Sequence, residues 1–406
     1  MRVLLVNTHK DHASTGKIAY GLTEELNKRG HEALLLYGLD VDHLETTNTI
    51  RLSNWFEFFF HHVYNVLTGY QSTWAPLPFR RFKKAYEEFK PDIVQLYNIH
   101  GYYMDDYKMF DFLAEKKVPI VYGMLDEYAY MGYCAYSYEC NQFKTGCRNC
   151  ESIKFRGYFG SLIFNRARET FLLKQKAYDK NDIVFTGPKW VLERAKESAL
   201  LKNKRLVEID EYIDTEHTFI PRDKAKIRNQ LGIMEDEVMV LNVAPSSDPR
   251  KGIKDFIFFA KECNNKKIKF VNVGNQEDPQ TLPDNYIGIS FVANQIELAE
   301  YYSAADILFC TSHADTMPNV CLDALSCGTQ VMGYNLTGIP YVANEPLGKF
   351  FNPKDKKNIL KYIESLSRKT PEMEEKCREY AVSRYSKETY TNKQISLYEE
   401  ILKNRK

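Results

Sequence analysis

The sequence predicts an α/β protein of two domains, each with a parallel sheet between layers of helices. The chain has 406 residues, which exceeds the usual size of one compact core. Short apolar runs with the length of buried strands alternate along it with segments of helical periodicity. Hydrophobic residues make up 44% of the chain, which is enough to bury two cores.

Composition argues against several other classes of protein. The formal net charge is +1, so nothing indicates a nucleic-acid-binding protein. No run of 18 apolar residues predicts a transmembrane helix. The N-terminal run from Met1 to Asn7 is predicted to be a first strand, not a signal peptide. Nine cysteines without regular disulfide spacing favour a reducing compartment, and we expect a cytoplasmic protein.

The first domain, predicted over residues 1–210, opens with a strand, a loop and a helix. The strand ends at Asn7, and the helix is predicted from about Lys17 to Arg29, directly after Gly16. A glycine at such a helix start lets the backbone approach a ligand, although an ordinary turn explains the same residue. Gly16 is therefore a candidate for contact with a bound ligand.

Aromatic residues fill the segment from Trp55 to Tyr64, and a basic cluster from Arg80 to Lys84 follows. An aromatic helix beside basic residues can rest on an anionic membrane surface. A buried helix followed by a solvated one explains the same pattern. The first interpretation allows peripheral contact with the inner face of the cytoplasmic membrane.

Two later strands of this domain lead to polar residues. A strand from Asp92 to Tyr97 precedes His100, and a strand from Val118 to Tyr122 precedes Asp126. Ligands of open α/β sheets bind at the carboxyl ends of the strands. His100 and Asp126 are therefore candidates to line a catalytic site, while a structural role for His100 stays open.

Residues 133–150, called here the cysteine loop, are long and lack a periodic pattern, so something must order them. The loop ends in Cys-x2-Cys, and four thiolates satisfy a structural zinc ion. Free thiols or a disulfide remain open as alternatives. The candidate zinc ligands are Cys134, Cys140, Cys147 and Cys150.

The second domain, predicted over residues 211–385, contains a basic loop at residues 248–252. This basic loop has the sequence Asp-Pro-Arg-Lys-Gly and follows a strand from Val238 to Val243. Arg250 and Lys251 can neutralise a diphosphate without a metal ion, or they can be ordinary surface charges. Both interpretations stay open on the residues alone.

The stretch from Cys310 to Val342 carries the densest set of candidates. A strand ends at Cys310, a polar loop follows, and Pro318 opens a helix. The N–H groups of Asn319 and Val320 are expected to be free at the helix start, which suits a phosphate.

Two carboxylates, Asp315 and Asp323, flank this helix start, where each also fits a helix cap or a dipole interaction. The segment from Asp315 to Val331 resembles the donor-sugar motif of glycosyltransferase family 4, which has the GT-B fold. That motif has an acid, seven other residues, Glu, and then Ala-x-x-Cys-Gly-Thr-Pro-Val. The resemblance implies that Asp315 contacts the donor sugar and Asp323 the ribose. Asp323 stands where the family has the longer Glu.

Other segments extend the resemblance over nearly the whole chain. The basic loop resembles the family's phosphate-binding loop, which implies that Arg250 and Lys251 act on the donor diphosphate. Gly16 fits the family's small-residue loop near the donor phosphates, and Gly274 with residues 275 and 276 resembles a turn beside the nucleotide. Phe291 and Val292 resemble the strand end that cradles the base. The cysteine loop resembles that of enzymes from bacterial capsule and exopolysaccharide synthesis. Departures from the family are Leu125, Pro245 and the pair Glu211-Tyr212.

The resemblance implies a retaining, metal-independent hexosyltransferase (EC 2.4) with two Rossmann-like domains and an interdomain cleft. Residues 386–406 would form a helix that crosses back to the first domain. The donor would be a UDP-sugar or a GDP-sugar, and the acceptor a glycan or a polyprenyl-diphosphate-linked saccharide in surface polysaccharide synthesis. The departures favour an alternative, a degenerate relative that binds a nucleotide sugar or a partner without turnover.

Overall fold

The computed structural model describes residues 1–11, 13–38, 47–138, 140–148, 150, 164–245, 247–274 and 279–405. The chain forms two compact units, one of Met1–Glu211 with Tyr390–Lys406 and one of Tyr212–Thr389. Each unit contains a parallel sheet with flanking helices, so the predicted α/β class is confirmed.

The strands of the first unit are β1 (Arg2–Asn7), β2 (Glu32–Tyr37), β3 (Thr49–Arg51), β4 (Ile93–Leu96), β5 (Ile120–Gly123), β6 (Ile183–Gly187) and β7 (Arg205–Glu208). They pair in parallel in the order β3-β2-β1-β4-β5-β6-β7. The strand order reverses between β1 and β4, which is the position where doubly wound sheets bind ligands. The loops after β1, β4 and β5 are therefore the ones that can form a site.

The helices around this sheet are α1 (Ala13–Lys28), α2 (Trp55–Thr68), α3 (Pro76–Phe89), α4 (Asp106–Lys116), α5 (Ala167–Lys180) and α6 (Lys189–Glu197). Helix α2 starts with a capping box between Asn54 and Glu57. Helix α1 begins four residues earlier than the predicted Lys17, which places Gly16 inside its first turn. A Cβ atom at Gly16 would lie 3.1 Å from the backbone of Asp11, so this turn packs tightly on the preceding loop.

The strands of the second unit are β8 (Val238–Val243), β9 (Ile268–Val273), β10 (Tyr286–Ile289), β11 (Ile307–Cys310), β12 (Gln330–Tyr334) and β13 (Gly348–Phe351). Their parallel order, β10-β9-β8-β11-β12-β13, reverses between β8 and β11. The loops after these two strands therefore meet at the switch point of the sheet.

The helices of the second unit are α7 (Lys224–Gln230), α8 (Ile253–Glu262), α9 (Gln295–Ala304), α10 (Asn319–Ser326), α11 (Lys356–Glu364) and α12 (Pro371–Tyr385). The short α10 fills the crossover between β11 and β12, and six of its residues are buried. It therefore starts at the carboxyl edge of β11, where the sheet can bind a ligand.

The last helix, α13 (Lys387–Lys403), packs on the first sheet. The hydroxyl groups of Tyr390 and Tyr97 lie 2.6 Å apart, and the Tyr398 hydroxyl donates to Oε1 of Gln95 at 2.7 Å. These contacts satisfy polar groups that are buried beside β4. In the described part of the chain, no helix has the length and apolar character needed to cross a bilayer.

Candidate active site

The basic loop after β8 adopts a tight turn. Its residues Pro249–Lys251 form one 3₁₀ turn, and Asp248 caps that turn by accepting from the N–H of Arg250 at 3.0 Å. Gly252 follows with φ +69°, and a Cβ atom there would lie 2.0 Å from the carbonyl oxygen of Thr311. Both the backbone angle and the close approach require glycine, so the basic loop lies directly against the segment after β11.

Hydrogen bonds fasten the basic loop to that segment. The Thr311 hydroxyl donates to the carbonyl oxygen of Lys251 at 2.9 Å and accepts from Nδ2 of Asn242 at 2.9 Å. The N–H of His313 donates to the carbonyl oxygen of Arg250 at 2.8 Å. The two predicted cations therefore extend from a backbone that is held in place.

Three of the predicted catalytic side chains converge here. Nζ of Lys251 donates to Oδ2 of Asp315 at 2.7 Å, and Nη1 of Arg250 lies 3.8 Å from the same oxygen. Arg250 also donates to Oδ2 of Asp248 at 3.0 Å and to the carbonyl oxygen of Ala314 at 2.9 Å. The Lys251 and Asp315 side chains are only 21% and 12% exposed, so solvent screens their attraction weakly.

A turn after β12 holds Asp315 from its other side. The N–H of Asp315 donates to the Thr337 hydroxyl at 3.0 Å, and its carbonyl oxygen accepts from the N–H of Gly338 at 2.9 Å. A Cβ atom at Gly338 would lie 1.7 Å from the carbonyl oxygen of Thr316. Only glycine allows this approach, which keeps Asp315 beside Lys251.

The N-terminus of α10 lies next to this charge cluster. Among the described residues, no side-chain hydrogen bond caps its first turn, which begins after Pro318. Lys251 and Val320 line one small cavity of about 10 Å³, room for about one water molecule. Oδ1 of Asn319 is buried and lacks a hydrogen-bond partner within the described part of the chain. Free amides, the positive helix end and an ammonium group together form an arrangement that can bind a phosphate.

Asp323 lies one turn further along α10 and is buried. Burial raises the pKa of Tyr302 well above its ordinary value, and the negative charge of Asp323 raises it further. The same two causes raise the pKa of the Cys327 thiol to about 12. The carboxylate thus lies close to the core, and contact with a ribose stays a prediction.

The remaining predicted nucleotide contacts lie at the ends of β9 and β10. The N–H of Gly274 donates to the carbonyl oxygen of Ile289 at 2.9 Å, which ties the two strand ends together. Phe291 is 78% exposed, whereas Val292 packs partly against the core. Residues 275 and 276 of the predicted turn lie outside the described residues.

In the first unit, the two predicted polar residues contact each other. Nε2 of His100 lies 3.2 Å from Oδ2 of Asp126, and both side chains are largely buried. Oδ1 of Asp126 accepts from the N–H of Tyr128 at 2.9 Å, and the centres of the His100 and Tyr128 rings lie 4.4 Å apart. The Thr8 hydroxyl donates at 2.6 Å toward the carbonyl oxygen of His100. The pair therefore occupies a defined position at the carboxyl ends of β4 and β5.

A buried carboxylate and a guanidinium group order the cysteine loop. Glu127 accepts hydrogen bonds from the N–H and the hydroxyl of Ser137 and from the hydroxyl of Tyr130. Nη2 of Arg194 lies 3.3 Å from the Ser137 hydroxyl and 3.4 Å from the carbonyl oxygen of Cys140. These polar contacts supply the ordering that the length of the loop demands.

Lys174, which the sequence analysis misses, supports the same region from α5. Its Nζ donates to the carbonyl oxygens of Tyr128 at 2.6 Å and Met131 at 3.0 Å, and it lies 3.2 Å from the centre of the Tyr128 ring. Burial lowers the pKa of Lys174 to about 7. The lysine thereby fixes the backbone next to Asp126. In the sequence, the one sign of this role is that Lys174 falls on the inner face of an amphipathic helix.

The predicted zinc site in the cysteine loop stays a prediction. Within the described residues, no group of three or more His, Cys, Asp or Glu side chains is arranged to hold a metal ion. Burial raises the thiol pKa of Cys134 to about 12 and of Cys147 to about 11, and the other cysteines of the loop raise both values further. The four thiols therefore lie near one another. The candidate ligands Cys134, Cys140, Cys147 and Cys150 are all free thiols in the structure.

The sequence analysis also misses a polar group beside the basic loop. Nε2 of His313 lies 3.0 Å from Oδ2 of Asp255, which also accepts from the Tyr334 hydroxyl at 2.8 Å. The hydrogen bond from His313 lowers the pKa of Asp255. Asp255 lies on α8, far along the chain from His313, so the sequence does not reveal this contact. The one sign in the sequence is the position of His313 directly after β11, where a ligand site is expected.

Comparisons with known proteins find a match to part of the sequence. Residues 223–384 match the family model "Glycosyl transferases group 1". The N-acetyl-alpha-D-glucosaminyl L-malate synthase of Bacillus anthracis is 23% identical over 218 residues, which are 50% of this chain and 56% of that protein. The match thus spans little more than half the length of this relative.

Solved structures resemble nearly the whole chain. The sucrose-phosphate synthase of Thermosynechococcus elongatus superposes with a TM-score of 0.70 at 17% identity, over 99% of both chains. HepE of Anabaena, solved in complex with UDP, gives a TM-score of 0.65 at 14% identity over 98% of this chain and all of that one. At such identities the likeness shows the fold, and it confirms the predicted GT-B fold. Residues 223–384 form a glycosyl transferases group 1 domain within a chain of the GT-B fold.

Proposed function

We propose that this chain is a retaining glycosyltransferase of the hexosyltransferase type. It would move a sugar from a nucleotide-diphosphate donor, with a UDP-sugar as first choice, to a glycan or lipid-linked saccharide in surface polysaccharide synthesis. The observation that carries the proposal is the convergence of Lys251 and Arg250 on Asp315, beside the uncapped start of α10. This cluster lies inside the region that matches the family model.

In the proposed reaction, the second unit binds the donor. The glycosidic bond breaks toward a diphosphate leaving group, on which negative charge grows. The Lys251 ammonium and the free amides of α10 would stabilise that charge, so the chemistry needs no metal ion. Lys251 is paired with Asp315 at 2.7 Å, and a diphosphate would share the ammonium with this carboxylate.

Asp315, held by the turn after β12, would then orient the donor sugar, and Asp323 would contact the ribose. Retention of configuration would follow a front-face displacement, in which the leaving phosphate helps to take the proton of the acceptor hydroxyl. His100 and Asp126 of the first unit are assigned to the acceptor, because they form a polar pair at the carboxyl edge of that sheet.

UDP is the preferred probe because HepE was solved with UDP, whereas a GDP-sugar remains the alternative donor. We also propose a cytoplasmic location, where nucleotide sugars are made and the nine cysteines remain reduced.

The test measures thermal stabilisation by UDP, GDP, ADP and their sugars, followed by slow hydrolysis of the sugar nucleotide that binds. Lys251→Ala should lower hydrolysis by about 100-fold to 1000-fold, as loss of a charge-stabilising donor does elsewhere. Lys254→Ala is the matched control, because Lys254 is an exposed lysine only three residues away. Equal rates in the two variants would refute the proposal. Binding without any hydrolysis by the wild type would favour the non-catalytic alternative.

A further inference from the structure

Helix α2 has its apolar side facing solvent. Trp55, Phe56, Phe59 and Phe60 are between 56% and 77% exposed, and Leu67 is 60% exposed. At 100° per residue, these five positions fall on one side of the helix. The two residues that α2 buries are polar, His61 and Asn65.

A helix on the surface of a globular domain normally shows the reverse arrangement, with apolar residues inward. At about 200 Å² for each aromatic side chain, the four aromatic residues of α2 alone expose on the order of 500 Å². A patch of that size is as large as the largest apolar patch on a typical monomer, and such patches are often functional. Folding of the first unit therefore does not explain these residues.

The apolar surface continues onto the start of α3. Trp74 and Leu77 are about half exposed, and together with Phe60 they line an apolar cavity of about 150 Å³. The ring of Trp74 stacks on that of Tyr64 with the centres 5.2 Å apart, which fixes α2 relative to this segment. We call this continuous surface, formed by Trp55, Phe56, Phe59, Phe60, Leu67, Trp74 and Leu77, the aromatic face.

Positive charge borders the aromatic face. Arg80 and Lys84 are exposed and follow Leu77 by three and seven residues, so they lie on the same side of α3. Glu57, the single acidic residue in the sequence of α2, is neutralised by Arg81 through two hydrogen bonds of 2.7 and 2.8 Å. Lys84 also forms an exposed ion pair with Glu88, 3.8 Å long, which contributes little energy, so the positive charge of this border comes mainly from Arg80.

We infer that the aromatic face docks on an anionic lipid bilayer. Tryptophan and phenylalanine insert at the boundary between headgroups and acyl chains, and the adjoining Arg80 and Lys84 would meet the anionic headgroups. A bilayer offers an apolar layer to the aromatic side chains and anionic headgroups to the cations. In a symmetric dimer through this face, the second copy would place its own cations near those of the first, and these like charges would repel.

This inference goes beyond the proposed transfer reaction and holds with or without it. Docking needs only the exposed side chains of α2 and α3, whereas transfer needs the charge cluster of the second unit. If the acceptor is lipid-linked, docking keeps the protein on the surface that holds the acceptor.

The test is flotation of the full chain with vesicles of phosphatidylcholine alone, or of phosphatidylcholine with phosphatidylglycerol. We expect strong binding to the anionic vesicles, weaker binding to the neutral ones, and a decrease as salt rises. Fluorescence of Trp55 and Trp74 should shift to shorter wavelength on binding, and the shift should shrink in Trp55→Phe.

Two double variants separate the apolar and electrostatic contributions. Phe56→Ser with Phe59→Ser should weaken binding to anionic vesicles by about tenfold or more. Arg80→Glu with Lys84→Glu should remove the preference for phosphatidylglycerol. All four residues are exposed, so we expect the variants to fold, and circular dichroism checks this expectation.

Matched controls change exposed residues elsewhere in the chain. Met234→Ser with Leu172→Ser removes two exposed apolar side chains, and Lys354→Glu with Lys357→Glu reverses two exposed charges. Both controls should bind vesicles as the wild type does. Equal binding by the aromatic-face variants and the controls would overturn the inference. Self-association that these aromatic substitutions abolish, without any vesicle binding, would overturn it as well and assign the face to a second copy.

Discussion

Replacing Gly252 with alanine tests whether the backbone of the basic loop positions Lys251. Gly252 has φ +69°, which costs an alanine about 1–2 kcal/mol. The new Cβ atom would also lie 2.0 Å from the carbonyl oxygen of Thr311. Ordinary contact requires about 3.5 Å, so one of the two loops must move by on the order of 1 Å.

Such a movement should break the alignment of Lys251 with Asp315, whose hydrogen bond is 2.7 Å long. Misplacement of a catalytic group by about 1 Å can lower a rate by about 100-fold. We therefore expect Gly252→Ala to lower the hydrolysis of a bound sugar nucleotide by that factor, although glycine itself carries no functional group.

Gly232→Ala provides the matched control. Gly232 has φ +67°, but a Cβ atom there would meet no heavy atom of the described residues within 4 Å. This variant should lose only the conformational cost of about 1–2 kcal/mol, which corresponds to a decrease of about 2–8 °C in Tm. Its hydrolysis rate should equal that of the wild type.

Both variants are measured by thermal unfolding with and without UDP and by hydrolysis of the sugar nucleotide that binds. The reasoning fails if Gly252→Ala shows the same Tm and the same rate as Gly232→Ala, since the approach to Thr311 would then have no consequence.

Two further predictions concern buried titratable groups. Asp323→Ala should weaken UDP binding by about tenfold in calorimetry, because a hydrogen bond from a ribose hydroxyl to a carboxylate is lost. Unchanged affinity would remove Asp323 from the site. Burial lowers the pKa of His61 to about 4, whereas in the unfolded chain it is about 6.5. The unfolded state therefore binds the proton first, and stability falls as pH drops from 6.5 toward 4. By urea unfolding, the wild type should lose about 2 kcal/mol more than His61→Gln between pH 7 and pH 5. Parallel losses in the two proteins would contradict the low pKa.

Sequence patterns among residues that are close together in the chain predict many of the strands, helix starts and motifs of this protein. The strand Val238–Val243 has the bounds that its apolar run indicates. Pro318 and the polar loop before it predict the start of α10, and the spacing of Asp315 and Asp323 signals a donor motif. A strand, a helix start and a short motif each depend on residues a few positions apart, so the sequence alone determined them.

Long-range contacts decided the rest, because they depend on which strand ends the sheet brings together. Lys251 and Asp315 lie 64 residues apart and form a hydrogen bond only because β8 and β11 are neighbours. The spacing of the cysteines predicts a zinc site. The hydrogen bonds that order the surroundings of the cysteine loop come from Glu127, which follows β5, and from Lys174, which lies on α5, and the spacing does not predict them. The aromatic residues of α2 face solvent because the helix buries its polar side, and hydrophobicity along the sequence does not reveal which side is covered.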